Sequence, residues 1–160
     1  MRFLALLVLA AAAPLAGCVS TDTSIFVVPT ISLPTAAVSM VTLGTELEGT
    51  FTLDLHLGPR AAGPSDVSLG EFSILDSTMT TTIVPTLTVT SSPPFPQTVQ
   101  PESDAISGFT FSTGTSLLKA DVETQLCMPG GVVIQGTIED SLAGKGTPAS
   151  SPVFTVTGCP

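Results

Sequence analysis

Residues 46–57 read ELEGTFTLDLHL, and their character alternates. Leu47, Phe51, Leu53, Leu55 and Leu57 fall on one face of an extended chain, and Glu46, Glu48, Thr50, Thr52, Asp54 and His56 fall on the other. Successive side chains of a strand point to opposite faces, whereas helical spacing would scatter these apolar residues around the axis. The segment is therefore a half-buried strand. The same alternation recurs in residues 86–90, 109–111 and 154–157, and in residues 132–138, where Val132, Ile134 and Ile138 oppose Gln135 and Thr137. Residues 67–74 change phase at Gly70-Glu71, which predicts a bulge. Threonine, β-branched and polar, suits the outward side of such strands, and it supplies 24 of the 160 residues.

Breaks rich in Gly, Pro and Ser separate these runs at 58–64, 91–96, 128–131 and 144–152. Short strands between such breaks predict an all-β fold, an antiparallel sandwich. Pro29 and Pro85 lie inside expected strands, so those strands should be edges or be bulged there. Residues 117–127 fit two periods. Leu118, Val122 and Leu126 make a helical face, and the same residues with Ala120 make a strand face. We read a strand, hairpinned through Pro129-Gly130-Gly131 onto residues 131–138.

At 160 residues the chain is one domain's worth. With 43% hydrophobic and 11% charged residues it is neither a disordered chain nor a coiled coil. The net charge is −9, and no basic patch exists to meet nucleic-acid phosphates. Trp, Tyr and Asn are absent and there is a single His. Sugar-stacking platforms, N-glycosylation sequons and histidine metal cages are therefore excluded.

Residues 1–18 read MRFLALLVLAAAAPLAGC. One positive charge, an apolar run too short to span a bilayer and a small-residue end make a secretory signal over residues 1–17. Leu15-Ala16-Gly17-Cys18 resembles the lipobox of bacterial lipoproteins at all four positions. The resemblance implies cleavage before Cys18, a diacylglycerol on its thiol and usually acylation of the new amino group. Two or more acyl chains anchor stably where one does not. No later stretch is apolar enough to span, so lipid on Cys18 would be the membrane hold. Val19, rather than Asp, follows the cysteine, which in that family points to the outer membrane of a diderm envelope. Residues 18–23 then form the lipidated Cys and a short polar tether. Its five residues after Cys18 reach at most about 17 Å, so the domain over residues 24–160 should stand close to the bilayer.

The stretch FPQTVQPES at residues 95–103, followed by residues 106–111, resembles the loop and strand of immunoglobulin-like domains on bacterial surfaces. It implies an immunoglobulin-like sandwich and supplies no catalytic residue. The buried Trp of antibody domains is missing. With Cys18 lipidated in an oxidising compartment, Cys127 and Cys159 remain and should form a disulfide. A redox or metal-binding thiol pair is the alternative, although no CxxC spacing accompanies them. His56 could serve a Ser-His-Asp arrangement only with Asp54 and a serine, and no GxSxG-type turn is present. We expect an exposed strand histidine and no catalytic residue. The pairs Glu46/Glu48, Glu102/Asp104, Asp121/Glu123 and Glu139/Asp140 read as solvated charge, with a loop Ca²⁺ site at Glu102 and Asp104 as the alternative.

These readings give a lipid-anchored envelope protein, non-catalytic, without cofactor or metal, acting as a structural or accessory protein-binding module. A lipoprotein binding a small ligand or Ca²⁺ is the alternative. Residues 24–32, SIFVVPTIS, are apolar on both faces. They should be an edge strand, either covered by the domain itself or docking an envelope partner.

Overall fold

The computed structural model describes residues 22–114 and 117–160. The expected signal at 1–17, Cys18 and residues 19–21 lie outside the described residues. The elements are β1 (Val27–Val41), β2 (Gly44–Leu57), β3 (Ser65–Asp76), β4 (Thr82–Val84), β5 (Thr88–Ser92), β6 (Gln97–Val99), β7 (Ser103–Ser112), α1 (Ala120–Leu126), β8 (Val132–Asp140) and β9 (Lys145–Ser150). Every ladder is antiparallel. One sheet, sheet A, runs β1-β2-β7-β5; the other, sheet B, runs β4-β3-β8-β9, with β6 also on β3. These are the immunoglobulin orders A-B-E-D and C′-C-F-G. The expected fold class is the one observed.

The alternation of residues 46–57 is realised along β2. Leu47, Phe51, Leu53, Leu55 and Leu57 are all buried in the core. Between the sheets Phe51 stacks on Phe109 with centroids 4.6 Å apart, and Phe72 and Phe111 complete the cluster at 5.4 and 6.1 Å from Phe51. Phe72 lies over Gly136, where an added Cβ would come within 2.2 Å of the ring. The β3–β8 register shifts between Leu69 and Phe72, which is the bulge expected at Gly70-Glu71.

Three local expectations are corrected. Residues 120–126 form a helix, not a strand. β8 already has β3 and β9 on its two sides, so a further hairpin partner has no ladder to join. The helical face prevails: Leu126 is buried, Leu118 and Val122 pack against the core, and Ala120 is exposed. Pro85 is not inside a strand; it follows β4 where the chain crosses to β5 in the other sheet. Residues 154–157 keep their alternation but form only two bridges, Phe154 to Val132 and Thr157 to Ala37. The last segment thus ties sheet B to sheet A. Gly158 permits this at φ +74, with an added Cβ only 2.2 Å from the Val38 carbonyl oxygen.

Pro29 lies in β1, the outer strand of sheet A, as expected. The Val27 N–H points off the ladder and donates to Asp140 Oδ2 at 2.8 Å. Two residues on, Pro29 shares that parity, so its missing N–H falls on the side away from β2. Asp140 is only 2% exposed. It also accepts from the Ser65 hydroxyl and from the Leu142 N–H. Burial alone would raise its pKa, but these donors outweigh burial and hold it below the ordinary carboxylate value. Asp140 is therefore the exception among the acidic pairs, which we read as solvated. It is an internal fastening between the start of β1 and the end of β8.

Candidate functional site

β2 carries His56 on the outer face of sheet A, with Val28 of β1 opposite on one side and Asp104 of β7 on the other. His56 Nδ1 is 2.5 Å from Asp104 Oδ1, and Nε2 is 2.7 Å from Asp22 Oδ2. Asp22 also accepts the Ser24 N–H at 2.9 Å. An imidazolium can donate from both nitrogens, so two carboxylates clamp one cation. The hydrogen bond with Asp22, then that with Asp104, raises the His56 pKa above its ordinary value. The His56 hydrogen bond, then the Ser24 N–H, lowers Asp22 to about 2.

The expected neighbour Asp54 takes no part in this clasp. It lies two residues from His56 on the same strand, and its Oδ1 has no partner among the described residues. With a carboxylate on each ring nitrogen, His56 leaves none free to accept a serine proton, which a Ser-His-Asp arrangement requires. Sequence reasoning placed His56 on the outward face correctly and missed both partners. Asp104 is 48 residues away, brought across by the β2–β7 register. Asp22 lies in the segment read as tether, which thus has its last part fastened to the domain.

The rest of this face is rich in hydroxyls. Thr35, Thr50, Thr110 and Thr90 form one cross-strand row over all four strands, and Ser32, Thr52, Gly108 and Ser92 form the next. Thr35 and Thr50 share a hydrogen bond of 2.8 Å. With Thr88 and Glu48 they line an open hollow of about 630 Å³. Between the sheets, by contrast, the aromatic and aliphatic side chains fill the core.

Cys127 and Cys159 are joined in a disulfide, with Cα atoms 5.7 Å apart. The bridge ties the end of α1 to the end of the chain. Of the Ca²⁺ alternative, Asp104 is engaged by His56, and Glu102 occupies a turn at φ 59. Among the described residues, no group of three or more His, Cys, Asp or Glu side chains is placed to hold a metal ion. Nor does any helix among them have the length and apolar character to cross a membrane.

The segment expected at an edge is fastened by its own chain at Val27, and its strand is covered further along. Val27 and Ile31 are buried, Asp140 takes the Val27 N–H, and Thr157 pairs with Ala36 and Val38 further along β1. What it exposes is side chains: Ile25, Phe26 and Val28 are 42–48% exposed. Compared with known protein families, curated proteins and solved structures, the chain matches none.

Proposed function

We propose that this protein is a lipid-anchored, non-catalytic module of the bacterial cell envelope, held by acyl chains on Cys18. On this reading it binds another envelope protein through the outer face of sheet A, with the outer membrane as its site. The observation that carries the reading is the position of the clasp. Asp22, four residues after Cys18, is locked to His56, which turns the lipobox cysteine and the sandwich into one short-tethered unit. The hydroxyl face of sheet A, with its open hollow further along β2 from the clasp, suits a macromolecular partner better than a small enclosed ligand, because the hollow is open and the core is filled.

Intact mass and membrane fractionation of the wild type and of Cys18→Ser test the anchor. The wild type should carry an acyl mass increment and fractionate with membranes, and the variant should do neither. An unmodified mature wild type overturns the anchored reading. Crosslinking from a photoreactive residue at Thr110, the middle of the hydroxyl row, tests the partner face. One discrete protein adduct in cells supports it; a failure to crosslink there while the protein remains anchored counts against it.

A further inference from the structure

The three exposed apolar side chains before and at the start of β1 differ from a scattered surface leucine in where they stand. Ile25, Phe26 and Val28 are 48%, 42% and 46% exposed and nearly contiguous. They flank the clasp: Val28 faces His56 across the β1–β2 ladder, and Ser24 and Asp22 lie against Gly58 at the end of β2. With Asp22 clasped, only three residues separate Cys18 from a fixed point on the domain. The four residue steps from Cys18 to Asp22 reach about 14 Å at most when fully extended. The opposite end of sheet A also exposes apolar groups, Met40 at 93% and Leu43 at 85%. It lies the length of β1 away, roughly 45 Å at 3.3 Å per residue. The clasped end therefore lies within the tether's reach of Cys18, and the Met40–Leu43 end lies well beyond it.

Two cations stand at that end. Arg60 follows β2 in the loop leading to β3, and Lys145 opens β9 beside Asp140, which itself touches Val27. Both are exposed, and they are two of the three Lys and Arg residues among those described. Asp22 and Asp104 there are bonded to His56, and Asp140 is buried among its donors. Glu102, Asp66 and Glu139 on the flanks and Asp54, two residues from His56, leave this end acidic on balance, so zwitterionic phospholipid suits it better than a strongly anionic surface.

We propose that the clasped end of the domain seats on the same phospholipid bilayer that holds the Cys18 acyl chains, with Ile25, Phe26 and Val28 entering the boundary between headgroups and acyl chains. This rests on the lipid at Cys18 put forward above. Apolar side chains of a surface segment bury into that boundary for the same reason they bury in a core, and a nearby lipid anchor makes the event intramolecular. The clasp then sets orientation: it holds sheet A's hydroxyl face beside the membrane, with the Met40–Leu43 end directed away.

The chain has no Trp and no Tyr, so one introduced indole reports alone. Full-length Phe26→Trp and Leu43→Trp proteins are purified from membranes and reconstituted into zwitterionic phosphatidylethanolamine–phosphatidylcholine vesicles containing acyl-brominated lipid. Trp at position 26 should be quenched several-fold more by the bromolipid than Trp at position 43, and less by aqueous acrylamide. Equal quenching at both positions, or none at position 26, overturns the seat. If Phe26→Trp misfolds by circular dichroism, Ile25→Trp replaces it with the same criteria. Intact mass of the same samples reads the anchor separately. Should Cys18 be found unacylated, it is the one cysteine outside the disulfide and can be joined to a maleimide lipid. Selective quenching at position 26 would then uphold the seat without the native anchor, and its absence would end it.

Discussion

Two carboxylate fastenings hold the start of β1 to the rest of the domain, and they differ in what surrounds them. Asp140 is 2% exposed and takes N–H and O–H donors from β1, β3 and its own turn. Asp22 and Asp104 share His56 on a wet face, where the imidazole side chain is 40% exposed. The first is a neutral-donor cage around a buried charge, and losing it leaves donors stranded in the core. The second is an ion cluster in contact with water, which can replace any lost partner. Burial, more than the number of hydrogen bonds, decides which one the fold depends on.

Removing the buried fastening should cost most. Asp140→Ala is expected to lower stability by about 4 kcal/mol, because several charge-assisted bonds go and the Val27 N–H and Ser65 hydroxyl lose their acceptor. Urea unfolding measures it; a loss below about 1 kcal/mol would remove the distinction between the two sites.

The disulfide sharpens the comparison because it acts mainly through the unfolded chain. Replacing Cys127 and Cys159 by Ala should cost about 3.7 kcal/mol on the chain-entropy model. The loop it closes, 32 residues in sequence separation, contains Asp140. If one loss arises in the unfolded state and the other in the native state, the combined variant should show additive losses within about 0.5 kcal/mol. A large coupling would mean that the bridge positions Asp140 directly. A non-reducing peptide map should show this one linked pair.

His56→Ala should cost less than about 1 kcal/mol, as exposed ion pairs usually do. A loss as large as that of Asp140→Ala would place the clasp among the core fastenings.

The smallest expected effect is the pH dependence of the clasp. The His56 pKa is raised, so its stabilising share is complete below about 6.5, the unfolded value, and is lost as pH rises through the folded value. Asp22 is lowered to about 2, so its share is complete above the usual carboxylate value and is lost as pH falls toward 2. The clasp is tightest between those limits. As the chain's single His, His56 gives one imidazole resonance to follow. Its titration midpoint should lie above the ordinary value, and Asp22→Asn should lower it more than Asp104→Asn does. The reverse order would mean that Asp104 is the dominant partner.

Much of this architecture was legible along the chain. The alternation in residues 46–57 and the phase change at Gly70-Glu71 rest on one rule, that successive strand side chains face opposite ways, and the edge position of Pro29 rests on its missing N–H. Where two periods fitted equally, at residues 117–127, pattern alone could not choose. The answer lay in the occupied sides of β8, a fact about neighbours distant in sequence.

The sequence by itself determined the period-two faces and the placement of the apolar set inside, because each follows from local geometry; the pairing of Cys127 with Cys159 was implied there by the lipobox resemblance at Cys18, and the structure shows the bridge. Only the tertiary structure decided which charges meet. Asp104 reaches His56 through the β2–β7 register, Asp22 by folding back over Gly58, and Asp140 by leaving the solvated class for the core. Pairing across 34, 48 or 113 residues depends on register and sheet packing, which no local pattern encodes.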